Sequence, residues 1–294
     1  MDEESLKQLL LIRPVPLPVF QGIILPSFQP FRDRGVETII KEINDFQSRP
    51  SDVLICGFPK SGNNWVREII ELLLNQKAEL TDTTMPGLML ELGYHEWLNN
   101  IKNVRTIHTH LPYRVIASSK LIGQSRVVVI VRNPKDVCVS YYHHSRKDIF
   151  INYDIPWNEF FERWIKNEIP YGSWYDYVQD FEQARLSGKK NIHFIHYEDL
   201  KKKPHSTIKQ LAEFLQTGYT DKLLSDITNV TSFTNMAEHK KEISKIFDPE
   251  GKGLIFRKGI IGDWKNWFTV QQNEEFDKQY NEKMQNSKLT FTFQ

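Results

Sequence analysis

The stretch ICGFPKSGNNWVREII, Ile55–Ile70, decides how the rest of the chain is read. An apolar, strand-like run ends at Gly57 and Pro59, then Lys60, Ser61 and Gly62 follow, and an amphipathic helical pattern opens at once. A helix that starts at the end of a strand presents unpaired N–H groups and a positive dipole end at the sheet's carboxyl edge. Gly57 and Gly62 let the backbone curl close to a ligand, and Lys60 adds a full charge. Ser61 or Asn63 can cap the helix, and Asn64 can offer an amide donor. Such a seam suits a phosphate. It is not a Walker loop, because the lysine precedes the glycine and no Gly-Lys-Ser/Thr triplet occurs. A tight turn with an exposed lysine is the plainer alternative.

Outward from this seam the same pattern recurs. Strand candidates at Val53–Cys56, Val104–His110, Val127–Val131 and Asn191–His196 are each followed by a helical pattern, the last from about Pro204 to Leu215. That alternation predicts βαβ units and a mainly parallel sheet flanked by helices, an α/β fold. Residues 1–50 carry scattered prolines and read as an irregular lead-in with one short helix around Glu37–Phe46. Beyond Thr220 the pattern is helical, loosens over Ile243–Gly262, and closes with a helix from about Val270 to Met284. Thr269 and Gln272 mark the start of that helix with capping-box spacing. Without repeats or linkers, residues 1–294 read as a single domain.

The 294 residues contain 40% apolar and 26% charged side chains, ordinary values for a globular protein. With 38 basic against 37 acidic residues, bulk binding of nucleic acid is not expected, and any anion site must be local. Cys56 and Cys138 lie in apolar stretches and suggest buried thiols rather than a disulfide framework. The acidic start and the short aliphatic runs point to no signal peptide and no membrane span. A cytoplasmic protein is the expectation.

Three further segments carry chemistry. In RVVVIVRNPKDVCVSYYHH, Arg126–His144, Arg132 stands at a strand end and Ser140 follows eight residues later on a helix. Arg132 can fork onto a phosphate or pair with Asp136. In RTIHTHLP, Arg105–Pro112, strand alternation points His108 and His110 to the same side. They can be a general base with a neighbour, two satisfied polar groups or metal ligands, although no third ligand at metal spacing follows. In FRKGIIGDWKNWFTVQQNE, Phe256–Glu274, Arg257 and Lys258 adjoin glycines, which suits either a loop over an anion or a solvated basic turn.

Together, in this order and spacing, the four segments resemble the cytosolic sulfotransferase family, as do PYGSWYDYV (Pro170–Val178) and HYEDLKKKP (His196–Pro204). The resemblance runs from about Ser51 to Phe293. It implies transfer of a sulfuryl group from 3′-phosphoadenosine 5′-phosphosulfate (PAPS) to a small acceptor, without metal. By position it implies that Lys60, Ser61, Gly62, Asn63, Asn64 and Trp65 hold the phosphosulfate, with Trp65 stacking on adenine. Arg132, Ser140, Arg257, Lys258 and Gly259 would hold the 3′-phosphate, and Tyr197, Thr231, Phe233 and Met236 would surround the adenine. His110 would be the general base, assisted by Lys60, Ser140 and His108. The pattern Lys265…Thr269-Val270…Glu274 matches the family's homodimer motif.

The sequence departs from the family at His108, where a lysine is usual, and at Asn63-Asn64, where Thr-Thr is usual. The first departure predicts a histidine that helps only when protonated. Near the acceptor, Ser140, His144 and Asp148 fall four apart and share a helix face if the helix continues. Tyr142 and Phe150 then offer aromatic walls, and Asp148 can meet an aryl amine; otherwise Asp148 is a solvated loop residue. The acceptor loops are expected at Thr83–Trp97, Lys147–Ile155 and Ile243–Leu254. The competing functions are a non-catalytic nucleotide-binding protein and a small-molecule kinase, the second disfavoured by the missing Walker triplet.

Overall fold

The computed structural model describes residues 17–82, 89–93, 95–148, 153–242 and 255–294. Phe150, the loop Ile243–Leu254 and parts of the other two acceptor loops lie outside these residues.

In chain order the elements are β1 (Val19–Phe20), β2 (Ile23–Ile24), α1 (Gln29–Arg34), α2 (Val36–Asp45), β3 (Val53–Gly57), α3 (Asn63–Asn75) and a 3₁₀ turn at Leu90–Leu92. Next come α4 (His95–Asn100), β4 (Thr106–Thr109), α5 (Tyr113–Ile116), α6 (Lys120–Gln124), β5 (Arg126–Val131) and α7 (Pro134–Ser145). The chain continues through α8 (Trp157–Ile165), α9 (Trp174–Leu186), β6 (Ile192–His196), α10 (Tyr197–Lys202) and α11 (Pro204–Leu215). It ends with α12 (Asp221–Val230), α13 (Phe233–His239), a 3₁₀ turn at Asp263–Asn266 and α14 (Val270–Met284).

Strands β4, β3, β5 and β6 lie side by side in that order, and every pairing is parallel. The molecule is a single α/β domain. Sheet alternation sorts the strand residues into two cores. Leu54, Cys56, Val127, Val129 and Val131 face one core, while Val53, Ile55, Val128 and Ile130 face the other. Because both faces are covered, the central strands read as unbroken apolar runs. The path from β3 to β4 and back across to β5 puts a reversal of strand order at the carboxyl end of β3, where α/β sheets bind ligands. At the opposite end, Arg105 and Asp52 form a fully buried fork, with Nε to Oδ1 at 2.8 Å and Nη2 to Oδ2 at 2.5 Å.

The short helix expected around Glu37–Phe46 is α2, and the irregular remainder of the lead-in is corrected at β1, β2 and α1. Gln21 and Gly22, both at positive φ, turn β1 into β2, as a two-residue hairpin requires. Then α1 and α2 bury Phe31, Ile39 and Ile43 in the main core. Two further helices, α8 and α9, are absent from the coarse sequence reading, and their aromatic residues Phe160, Trp164 and Trp174 are buried. Helix α8 carries a clear apolar stripe at Trp157, Phe160, Phe161 and Trp164, the spacing of one helical face, whereas α9 buries residues on several sides and its local pattern says little.

Candidate active site

Each of the four parallel strands delivers one candidate residue just past its carboxyl end: Lys60 after β3, His110 after β4, Arg132 after β5 and Tyr197 after β6. Lys60 has φ of 68° and Gly62 of 110°, so the loop makes two left-handed steps before α3 begins. The first costs about 1–3 kcal/mol for a residue with a Cβ. Gly57 is required sterically, because a Cβ there would overlap Asn63 Oδ1. Asn63 turns inward and donates from Nδ2 to Phe58 O at 3.2 Å. One of its two amide hydrogens thereby braces the loop, and its backbone N–H lies at the start of α3. Asn64 stays half-buried at the loop.

Tyr197 lies against Gly62, where a Cβ would meet its ring at 2.8 Å, and edge-on to Trp65 with centroids 5.5 Å apart. Arg132 crosses the Tyr197 ring at 4.2 Å and donates to Lys60 O and Ile260 O, both at 3.2 Å. Its nearest approach to Asp136 is 4.0 Å, so a tight strand-end salt bridge is not what holds it. Asp136 instead accepts N–H bonds from Gly262 at 2.8 Å and Trp264 at 3.0 Å, anchoring the glycine-rich loop. Within that loop Asp263 pairs with Arg257 at 2.6 Å and Lys258 at 2.7 Å. Burial pushes the Asp263 carboxyl up, but hydrogen bonds from Lys258, Asn266 and Arg257 outweigh it and hold the group down at about 2. Gly259, at φ of 62°, is the only residue that fits against Phe233, since any Cβ would enter that ring. Thr231 caps the end of α12 with its hydroxyl donating to Ile227 O, and Met236 is buried on α13; Phe233 lies between them in sequence.

His110 Nδ1 lies 2.6 Å from Gly57 O. A carbonyl only accepts, so Nδ1 carries the proton and Nε2 is left with its lone pair. Burial, chiefly, and the charge of Lys60 lower the imidazole to about 4, although the Gly57 bond works the other way. Lys60 is itself brought down to about 8 by burial, with Arg132 and Arg257 adding to the shift and Asp148 opposing it. These mutual effects mean that Lys60, Arg132, Arg257, His110 and Asp148 share one electrostatic environment.

His108 is fully buried, with its ring edge-on to His110 at 4.4 Å. The expectation of a histidine that works when protonated is corrected. Burial, His110 and Arg67 hold it well below the usual imidazole range, so it is neutral near pH 7. Tyr142 is also corrected as an acceptor wall. It sits two residues from Ser140 and His144, on the other side of α7, and packs against Trp157, Phe160 and Trp267. The chain does continue its turn past α7: Asp148 N–H donates to His144 O at 2.9 Å, and Asp148 Oδ2 reaches His144 Nε2 at 3.3 Å. Asp148 is only 13% exposed, so the solvated-loop reading fails. Burial and the nearby Lys60 and His110 keep His144 neutral. Ser140 is buried on the same face.

Asp263, Tyr171 and Glu91 escaped the sequence reading, and Asp136 enters it only as a partner for Arg132. For Glu91 a signal existed, a lone carboxylate inside the apolar run LMLEL. At the surface, Lys265, Thr269, Val270 and Glu274 are exposed, with Val270 at 77%.

Several buried polar atoms at this site have no hydrogen-bond partner among the described residues: Ser61 Oγ, Trp65 Nε1, Arg132 Nε and Arg257 Nε. All can donate, and a polyanion at the loop would satisfy them. Among the described residues no group of three or more His, Cys, Asp or Glu is placed to hold a metal ion, and no helix is long and apolar enough to cross a membrane.

A family model described as the sulfotransferase domain matches residues 50–288. Sulfotransferase 1B1 of Canis lupus familiaris is 34% identical over 266 residues, covering 85% of this chain and 89% of its own. Sulfotransferase 1C2 of Homo sapiens is 30% identical, covering 85% and 88%. Among solved structures, mouse sulfotransferase SULT7A1 complexed with PAP superposes with a TM-score of 0.76 at 30% identity, covering 93% of this chain and 96% of that one. Retinol dehydratase in a complex with retinol and PAP shares the fold, with a TM-score of 0.80 at 18% identity, covering 99% and 97%.

Proposed function

The chain belongs to the sulfotransferase family, and from that premise we propose that it moves the sulfuryl group of PAPS to a hydroxyl or amine of a small acceptor, with His110 as the general base. The observation that carries the proposal is the bond from His110 Nδ1–H to Gly57 O, made beside the loop that bears Lys60. The residues present fit the co-substrate. Loop 60–65 and the start of α3 would take the phosphosulfate; Arg132, Ser140, Arg257, Lys258 and Gly259 would take the 3′-phosphate. Trp65, Tyr197, Thr231, Phe233 and Met236 would line the adenine. When bound, PAPS supplies an activated sulfuryl group on a phosphate leaving group.

The chain's own part is proton handling and charge. His110 Nε2 takes the acceptor's proton as the acceptor's oxygen or nitrogen bonds to sulfur. Lys60 stabilises the negative charge that grows on the departing bridging oxygen, as cationic groups do in phosphoryl transfer. His108, neutral and buried beneath His110, packs the base in place rather than adding charge.

The finer readings rest on the same placement. Asp148, buried beside His144, gives the acceptor end a carboxylate that favours aryl amines over uncharged phenols. The exposed Lys265, Thr269, Val270 and Glu274 support a homodimer through this strip, and the protein's place is the cytoplasm. The deciding experiment incubates the protein with PAPS and a panel of phenols, alcohols and amines. Sulfonated product with PAP release is expected; bound PAP with no product from any acceptor would leave a non-catalytic nucleotide binder.

A further inference from the structure

We infer that Glu91 is a positioning residue for the general base: its carboxylate, shared with the Tyr171 hydroxyl, holds the His110 backbone where β4 ends. The inference rests on the reading of His110 as base. Strand β4 stops at Thr109, so the buried N–H of His110 needs a partner outside the ladder. Glu91 Oε1 accepts it at 2.7 Å. The Tyr171 hydroxyl reaches the same oxygen at 3.5 Å, and the Tyr171 ring stands edge-on to the His110 ring at 5.3 Å. The imidazole is therefore fixed twice, through its backbone by Glu91 and through Nδ1 by Gly57 O.

Tyr171 is itself held under constraint. It has φ of 68°, a conformation that costs an aromatic residue about 1–3 kcal/mol. Its N–H donates to Ile24 O of the lead-in hairpin at 2.7 Å. The lead-in thus reaches the base through Tyr171 and Glu91. Glu91 is fully buried, and its Oε2 has no hydrogen-bond partner among the described residues. A dry carboxyl of this kind is costly, but an apolar residue in its place would leave the buried N–H of His110 without a partner. Burial pushes its pKa up to about 7, against the pull of its hydrogen bonds from His110 and Thr109. Its position beside the base explains why the group is a hydrogen-bond acceptor.

The test uses the full-length protein and three variants: Glu91→Gln, which keeps an acceptor oxygen, Glu91→Ala, which does not, and Tyr171→Phe. Glu91→Ala should lower kcat by about 10²-fold, as displaced reacting groups do. The KM for PAPS and the Kd for PAP should stay within about threefold, since neither residue touches the nucleotide loop. Glu91→Gln should recover most of the lost kcat. The ring-nitrogen NMR signals of His110 should shift in Glu91→Ala while those of His143 stay put. Unchanged kcat and unchanged His110 signals would overturn the inference, as would parallel loss of kcat and PAP binding. If Glu91→Ala does not fold, Glu91→Gln with Tyr171→Phe carries the same comparison of kcat, PAP affinity and His110 signals. His110→Ala separates the two claims: retained turnover there would sink the base itself, whatever Glu91 does to the spectrum.

Discussion

His110 Nδ1 stands 2.6 Å from the carbonyl oxygen of Gly57, the last residue of the neighbouring strand, and this one contact sets the tautomer of the base. With burial holding the imidazole at about 4, His110 is neutral throughout the neutral range and protonates only in acid. The acid limb of kcat/KM should therefore fall near pH 4 rather than 6.5. Activity should be full above that limb and lost as pH drops through it. His110→Ala should cut kcat by about 10²–10⁴-fold with PAP binding retained.

Lys60 controls the opposite limb. Its ammonium is lowered to about 8, so its charge is complete below that pH and is lost above it. The affinity of the free protein for PAP should weaken as pH rises through about 8. Lys60→Arg, whose guanidinium keeps its charge, should flatten that dependence. Titration calorimetry from pH 6.5 to 9.5 measures it. An unchanged alkaline loss in the arginine variant would assign it elsewhere; His108 is excluded from that part, since its own charge is gone well before neutrality.

Arg132 is held by two carbonyls and an aromatic face rather than by a close carboxylate. Arg132→Ala should weaken binding of PAP by roughly 1.5–3 kcal/mol, the worth of a charge-assisted bond. The 3′-dephospho nucleotide should be affected far less. Equal weakening of both would mark Arg132 as a structural tie.

Asp148 is tested by comparing a phenolethylamine with its uncharged analogue. Asp148→Ala should reduce kcat/KM for the amine about fivefold or more relative to the analogue, the loss of a partly desolvated ion pair. An unchanged ratio would remove Asp148 from acceptor selection.

Stability at the far end of the sheet should be separable from the site. Asp52→Ala leaves the fully buried Arg105 without its carboxylate, which should cost about 3–5 kcal/mol in denaturant unfolding. If the folded fraction of that variant lost PAP affinity as well, the two ends of the sheet would be coupled after all.

Local chemistry was enough for the sequence to determine the four strands of the parallel sheet, the loop of Lys60 to Trp65 and the pair His108 and His110, though not the β1–β2 hairpin. Buried parallel strands show as apolar runs, and glycine with lysine at a strand–helix seam has few other uses. Helix α14 was legible for the same reason, since its capping box lies within four residues. Tertiary structure decided which neighbours each group meets. Gly57 is 53 residues from His110 in the chain, and Glu91 and Tyr171 are 80 apart, so no spacing rule joins them. The sequence could count two histidines on one strand face, but only packing shows one bonded to Gly57 and the other sealed beneath it. Whether Asp148 is dry or solvated likewise depended on the continued turn after α7 and on Lys60 lying nearby. Burial and long-range contact set the charge of Lys60, His108, His110 and His144, and neither is a local property of the chain.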